Sequence, residues 1–280
     1  MTSLRYVVAD VFTDRPLTGN QLAVFTDARE LDAETMQALA LEVGFSESVF
    51  VLPAETDGDV RIRIFTPRVE LPFAGHPVLG TAFVLGGPLQ RSVIRLETGS
   101  GLVPIELERD ETGSIAFGRM QQPVPTVQPY PEQERLLAAL GVERSLLPIE
   151  TYDNGAQPTY VLLDSEADVA ALRPDFGVLD ELEIMATCCA GSGTTWKVRM
   201  FAPYGGVPED PATGSAAGPL ACHLCRHSLV GWGTEIEITQ GVEIGRPSKL
   251  YARALGDASG IDRVEVGGRA VVVARGEYRF

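Results

Sequence analysis

The chain writes one passage twice, in the same order and with the same changes of character, and an internal repeat restricts the fold more than any single element does. Arg63-Ile64-Phe65-Thr66-Pro67 leads through Leu71-Pro72-Phe73-Ala74-Gly75-His76-Pro77, and Arg199-Met200-Phe201-Ala202-Pro203 leads through Asp210-Pro211-Ala212-Thr213-Gly214-Ser215-Ala216. Arg63 and Arg199 are 136 residues apart and Gly75 and Gly214 are 139 apart, so the second copy carries three extra residues between the two motifs. Each copy passes from a β-rich run to a proline, then a tight glycine turn, then an apolar stretch with helical spacing. The flanks follow suit: 19–25 precedes the helix-like 32–43, and 156–163 precedes the acidic segment 167–182. A repeat of this length predicts two lobes of like build about an approximate twofold axis.

Val-, Ile-, Phe- and Tyr-rich runs predict strands at 6–10, 23–26, 48–52, 61–65, 93–97, 102–108 and 114–118 in the first half. The second half repeats the style at 160–163, 183–188, 196–201 and 235–239, and the chain closes with strands at 250–254, 263–266 and 269–277. Helices are expected at 32–43, 77–85, 131–140, 168–172 and 216–228. Many strands and one central helix per half indicate an α+β fold, in which each lobe is a mostly antiparallel sheet wrapped around a helix. The proline-rich stretch 121–131, with Pro123, Pro125, Pro129 and Pro131, reads as the linker. The expected division is 1–122, completed by C-terminal strands, and 123–280.

Composition removes several classes of function. With 38 acids against 23 bases the formal charge is −15, and so negative a surface repels phosphate backbones and anionic lipid heads. Neither nucleic acid nor a membrane surface is expected as a partner, although a local pocket can still accept an anion. Arg5, Asp10 and Asp14 leave the start without a signal-peptide core, and His76, Pro77 and glycines interrupt the apolar stretch 73–87. Four cysteines without an export signal read as reduced thiols, so the expected location is the cytoplasm.

The repeated turns are where chemistry is expected. Each delivers the chain into a helix, with Pro77 suited to a first helical position and Ser215 to a cap. The first amides of a helix lack partners and carry partial positive charge, so each turn is an anion site that needs no Arg or Lys. Two such turns meeting in one crevice would hold a carboxylate even in this acidic protein. His76 lies in one turn and Asp210 and Ser215 in the other; an Asp before a proline also simply begins turns. Glu47 opens the run 47–52, whose apolarity at both parities suggests a buried strand, where desolvation raises the proton affinity of a carboxylate. Cys222-x-x-Cys225 with His223 and His227 has the look of half a zinc site, but without a second ligand pair at clear spacing no metal is expected. No nucleotide-binding glycine loop or nucleophile elbow is present, and no cofactor is expected.

Together, Thr18-Gly19-Asn20, the segment around Glu47, Phe65-Thr66-Pro67 with 70–77, and 209–218 make the chain resemble the phenazine-biosynthesis isomerase (PhzF-like) family, which shares the diaminopimelate epimerase fold. The resemblance covers essentially the whole chain. It implies a cofactor-independent enzyme with the site in a cleft between two pseudo-symmetric lobes, usually dimeric, so that a homodimer is expected. The family's best-known activity shifts a proton along the cyclohexadiene of a dihydro-hydroxyanthranilate. By the same resemblance Glu47 is the proton shuttle, His76, Asp210 and Ser215 are catalytic partners, and Gly75, Gly214 and Asn20 lie beside the substrate. Related amino-acid epimerases use two facing cysteines where this chain has His76 and Ser215, which disfavours a two-thiol racemase. The expected function is proton-shifting isomerisation of a small carboxylate-bearing carbon acid. The alternatives left open are an epimerase-like enzyme and a binding protein that keeps the cleft without turnover.

Overall fold

The computed structural model describes residues 3–280. In chain order the elements are β1 (Ser3–Val11), β2 (Asn20–Phe25), α1 (Ala33–Val43), β3 (Glu47–Leu52), β4 (Val60–Phe65), β5 (Glu70–Leu71), α2 (Gly75–Leu89), β6 (Val93–Thr98), β7 (Gly101–Arg109) and β8 (Ile115–Gln122). They continue with β9 (Thr126–Pro129), α3 (Gln133–Leu140), β10 (Glu150–Asp153), β11 (Pro158–Leu162), α4 (Glu166–Ala171), α5 (Phe176–Glu181), β12 (Met185–Ser192) and β13 (Thr195–Ala202). A 3₁₀ turn at Pro203–Gly205 follows, then β14 (Val207–Asp210), α6 (Gly214–Arg226), β15 (Ile236–Gln240), β16 (Ser248–Asp257), β17 (Gly260–Gly268) and β18 (Ala270–Arg279). Contacts divide the chain into two units, one running to Gln121 and including Gly267–Phe280, the other Gln122–Val266.

In the first unit β1 lies between β18 and β2, antiparallel to both. β2 runs parallel to β3, β3 antiparallel to β4, β4 antiparallel to the short β5 and parallel to β6, and β6 antiparallel to β7. The second unit repeats the order of senses. β10 is antiparallel to β11, β11 parallel to β12, β12 antiparallel to β13, β13 antiparallel to β14 and parallel to β15, and β15 antiparallel to β16. Parallel neighbours need a crossover. In both units helices supply it: α1 between β2 and β3, α4 and α5 between β11 and β12, α2 between β4 and β6, α6 between β13 and β15.

The two halves are sheet-rich and of like build, an α+β fold of the diaminopimelate epimerase-like type. α2 packs against β1, β2, β3, β6, β7 and β18, and α6 against β11 and β16. Both helices are buried round their circumference, which explains why apolar and small residues occupy nearly all their positions. Close approach requires bare backbone. A Cβ on Gly80 would lie 2.6 Å from side-chain carbons of Leu22 and Val11, and one on Gly218 would lie 2.3 Å from Gln122 Oε1 and 2.5 Å from Val264 Cγ1.

The repeated Arg and Phe gain a shared role in three dimensions. Arg63 grips Glu70 through Nε (2.7 Å) and Nη2 (2.6 Å) and lies 5.1 Å over the ring of Phe65. Arg199 grips Glu209 through Nε (2.9 Å) and Nη2 (2.7 Å) and lies 5.0 Å over Phe201. Each bidentate pair pins the segment that leads into the glycine turn back onto its parent strand.

Outside these layers, α1 is capped by Asp32, which accepts from the Thr35 amide at 2.8 Å, and closed by left-handed Gly44. Its Met36 and Leu39 pack on Phe25, Phe50 and Phe65, each burial stabilising by roughly 2 kcal/mol. Two local expectations need correction. The proline-rich stretch contains strand β9, paired with β10, because proline is tolerated at strand ends and edges. Helix α5, with Asp175 accepting from the Gly177 and Val178 amides, is too short for its periodicity to show. No helix among the described residues is long and apolar enough to cross a membrane.

Candidate active-site elements and family

The glycine turns enter their helices two residues earlier than the sequence suggests. α2 begins at Gly75 after the extended Ala74, and α6 begins at Gly214 after Thr213, so His76 and Ser215 are second helical residues and Ser215 is not the cap. Neither Ala74 nor Thr213 caps its helix through a side chain. The first intrahelical bonds come from Val78 to Ala74 O (3.3 Å) and from Ala216 (3.0 Å) and Ala217 (3.1 Å) to Thr213 O. The amides of Gly75 and His76, and of Gly214 and Ser215, therefore have no acceptor within their helices, which leaves partial positive charge at equivalent places in the two units.

In the first unit the structure brings together Asn20, Glu47 and His76. Asn20 begins β2 and Glu47 begins β3 beside it, while His76 enters from α2. Glu47 Oε2 lies 3.6 Å from His76 Nε2, and the Glu47 side chain keeps 14% of its surface exposed. Asn20 Nδ2 lies 3.2 Å from His76 Nδ1, and Ser46 Oγ donates to Asn20 Oδ1 at 3.0 Å. With its oxygen held by Ser46, the amide turns its NH₂ toward Nδ1, while Nε2, the nitrogen facing Glu47, has no hydrogen-bond partner among the described residues. Sequence reasoning missed Ser46; its link to Asn20 spans 26 positions and leaves no local pattern.

His76 is buried and its pKa is pushed down to about 3 by burial, with the Gln21 backbone offsetting only part of that. The folded value lies below the free imidazole value of 6.5, so the unfolded chain takes up a proton that the native ring refuses. The stability this gives is complete above pH 6.5 and is lost as pH falls toward 3. Between pH 7 and pH 5, His76→Gln is expected to show a fall in unfolding free energy smaller than wild type's by about 2 kcal/mol, read from urea midpoints. Parallel curves for the two proteins would contradict a neutral buried ring.

In the second unit Asp210 closes β14, 4% exposed, and its Oδ2 accepts from Thr213 Oγ1 at 2.6 Å. Gln240 of β15 clamps this turn from beneath. Its Oε1 accepts from the Thr213 amide (3.1 Å), and its Nε2 donates to Asp210 O (2.8 Å) and to Thr213 Oγ1 (2.9 Å). Side chains also reach the first three carbonyls of α6: Gln122 Nε2 to Gly214 O (2.8 Å), Asn154 Nδ2 to Ser215 O (3.0 Å) and Tyr160 Oη to Ala216 O (2.6 Å). The Asn154 bond has a plain cause. The Ser215 carbonyl should accept from the residue four positions on, which is Pro219, and proline has no N–H. None of these supporting residues was expected from sequence, although Pro219 inside a helical stretch was the available signal of an orphaned carbonyl.

The thiols take no part in either cluster. Cys188, Cys189, Cys222 and Cys225 are all buried and unbridged. Burial pushes Cys189 and Cys222 up to about 12 and Cys225 up to about 11, and raises Cys188 further, so thiolate chemistry is suppressed at neutral pH. An open concavity of about 570 Å³ in the first unit is lined by Arg61, Arg63, Glu70 and Glu97 among others, and by none of Asn20, Glu47, Gly75 or His76. Its charges are spoken for: Arg61 pairs with Glu55, Arg63 with Glu70, and Glu97 holds the amides of Glu55, Thr56 and Gly58.

Residues 9–276 match the family described as phenazine biosynthesis-like protein. The chain belongs to that family. Among its relatives, the trans-2,3-dihydro-3-hydroxyanthranilate isomerase of Pseudomonas aeruginosa is 51% identical over 273 residues, 97% of this chain and 98% of its own length. The enzyme of the same name from Pseudomonas chlororaphis is 50% identical over 272 residues, again 97% of this chain and 98% of its own. Among solved structures, the Bacillus anthracis phenazine biosynthesis protein of the PhzF family superposes with a TM-score of 0.87 at 26% identity, covering 100% of both chains. The protein is accordingly an isomerase of PhzF type.

Proposed function

We propose that the protein isomerises a small cyclic carbon acid bearing a carboxylate, of the dihydro-hydroxyanthranilate class, by moving one proton between ring carbons. The observation that carries this reading is Glu47 Oε2 standing 3.6 Å from Nε2 of a buried, neutral His76 at the start of α2. In the first step the Glu47 carboxylate takes a proton from carbon, becoming a carboxylic acid and leaving a delocalised carbanion. In the second it returns that proton to another carbon of the same π system, which shifts the double bonds and regenerates the carboxylate. No electron acceptor is required, since the substrate is neither oxidised nor reduced.

His76, with Asn20 beside Nδ1, is assigned Nε2–H as the donor to a developing negative charge. The first-turn amides of Gly75–His76 and Gly214–Ser215 are suited to carboxylate and enolate oxygens. Asp210, held by Thr213 and Gln240, is assigned to a polar group of the substrate. The relatives at about 50% identity, named for trans-2,3-dihydro-3-hydroxyanthranilate, support the substrate class.

The test is incubation of that compound, beside a panel of cyclic and amino-acid carbon acids, in deuterated water, with products read by mass spectrometry and chirality. A shifted double bond with deuterium at the protonated carbon is the expected result. Inversion of an amino-acid centre without a double-bond shift, or binding with neither label nor product, would replace this reading.

A further inference from the structure

Sequence spacing presents His223 and His227 as half of a metal site without a second half; the fold supplies the missing ligand from β10. The two histidines stand four apart at the C-terminal end of α6, and the His227 amide still bonds the His223 carbonyl at 3.1 Å, so the helical register that puts them on one face is intact. Glu150 Oε2 lies 3.3 Å from His223 Nδ1 and 3.1 Å from His227 Nε2, and one ligand atom from each residue falls within 4.8 Å of the other two. In a tetrahedral zinc site with metal–donor bonds of about 2.0–2.1 Å, donors are separated by about 3.3 Å. Two of the three separations already match, and the exposed end of His227 can close the third.

We propose that Glu150, His223 and His227 form a binding site for one divalent transition-metal ion, of the Zn²⁺ or Cu²⁺ kind, that clamps β10 to the end of α6. Two imidazoles and a carboxylate are a recurrent zinc ligand set, and copper binds such donors more tightly still. The position favours a cation: it lies at the C-terminal end of α6, and the Glu150 carboxylate already pairs with Arg226 there. Arg226 Nη1 lies 2.9 Å from Glu150 Oε2 and 2.6 Å from Tyr152 Oη, yet its side chain is 35% exposed and free to swing into solvent. The Tyr152 hydroxyl lies 3.0 Å from Glu150 Oε2 and 3.1 Å from His223 Nδ1, so the guanidinium and this hydroxyl are the competitors that the ion displaces.

The His223 ring is already held in place, stacked on Tyr160 at 5.3 Å and set edge-on to Tyr152. Its Nε2 is buried and has no hydrogen-bond partner among the described residues. Ligation through Nδ1 moves the ring proton to that nitrogen, a cost which, with the loss of the Arg226 contacts, holds binding to the micromolar range rather than the nanomolar. The role is structural. Ser215 lies eight residues back along α6, about 12 Å by helical rise, so turnover is expected to change less than twofold on metal binding.

The composition makes the test clean, because the only other histidine, His76, and all four thiols are buried. The full chain, treated with a chelator and dialysed, is titrated with Cu²⁺ under electron paramagnetic resonance and with Zn²⁺ by calorimetry and thermal unfolding. One equivalent is expected, with two-nitrogen hyperfine splitting and a higher unfolding midpoint with Zn²⁺. His227→Gln, at a half-buried position that the fold tolerates, should weaken binding at least tenfold and remove the midpoint shift. Arg226→Gln should strengthen it about tenfold, a gain that neither misfolding nor a non-specific site produces. No binding, several weak equivalents, or affinity indifferent to both substitutions overturns the assignment. Because isomerisation is not the readout, these outcomes stand apart from those that test the proposed reaction.

Discussion

Glu47→Gln is expected to lower isomerisation by about 10³-fold, within the range that a positioned general acid–base group contributes. The amide keeps the size and shape of the carboxyl but cannot accept a proton from carbon at neutral pH. Deuterium entry from solvent should collapse in parallel, because abstraction and return pass through the same oxygen atoms. Substrate affinity should change little, since the carboxylate-binding duty is assigned to helix amides and not to this side chain. Glu47 keeps part of its surface in water and opens its strand at the end of the β2–β3 ladder, so the unfolding midpoint should stay within a few degrees of wild type. A variant that retains a tenth or more of the exchange rate would remove Glu47 from the role of shuttle, whatever the fate of His76.

The largest expected effect on stability lies at Arg199. Its pair with Glu209 is sealed from solvent, the two side chains being 7% and 9% exposed. Nη1 also donates to carbonyls at the end of α4, those of Val169 (3.3 Å), which already accepts from the Leu172 amide, Ala170 (3.3 Å) and Leu172 (2.9 Å). Arg199→Met strands a buried carboxylate together with the Ala170 and Leu172 carbonyls, a loss of about 3–5 kcal/mol. Thermal unfolding should shift down by on the order of 10 °C. The equivalent Arg63→Met is an internal control. Arg63 makes the same bidentate contact, but the side chains are 21% and 41% exposed and water can replace the partner; the cost should be below about 1 kcal/mol. Equal shifts for the two variants would show that burial is not what separates the copies.

The repeat was legible because it is made of local signals. A β-rich run, a proline, a glycine turn and an apolar helix each leave a pattern within ten residues, and most strands were placed from such patterns. The helix starts were misplaced by two residues because no side-chain cap marks them, and α5 and β9 were missed because one is too short for its period and the other is hidden among prolines. His76, Asp210 and Ser215 stood out by residue type beside the turns, and Glu47 by the apolar strand it opens. Of the groups that hold them, Asn20 came only from the family resemblance and the others not at all. Asn20 meets His76 across 56 positions, Asn154 meets the Ser215 carbonyl across 61, and Gln240 meets Asp210 across 30. Contacts of that range have no period in the sequence to betray them.

By itself, then, the order of residues determined that the chain is built twice over, that each copy turns through glycine into a buried helix, and that its formal charge is strongly negative. Those are consequences of backbone sterics, hydrophobic periodicity and summed charge, which act locally or on the whole chain. Only the tertiary structure decided which carboxylate faces His76, which of two like Arg–Glu pairs is buried, and that Glu150 joins His223 and His227. Each of these depends on which strands become neighbours, and strand pairing brings together residues that nothing in their own surroundings distinguishes.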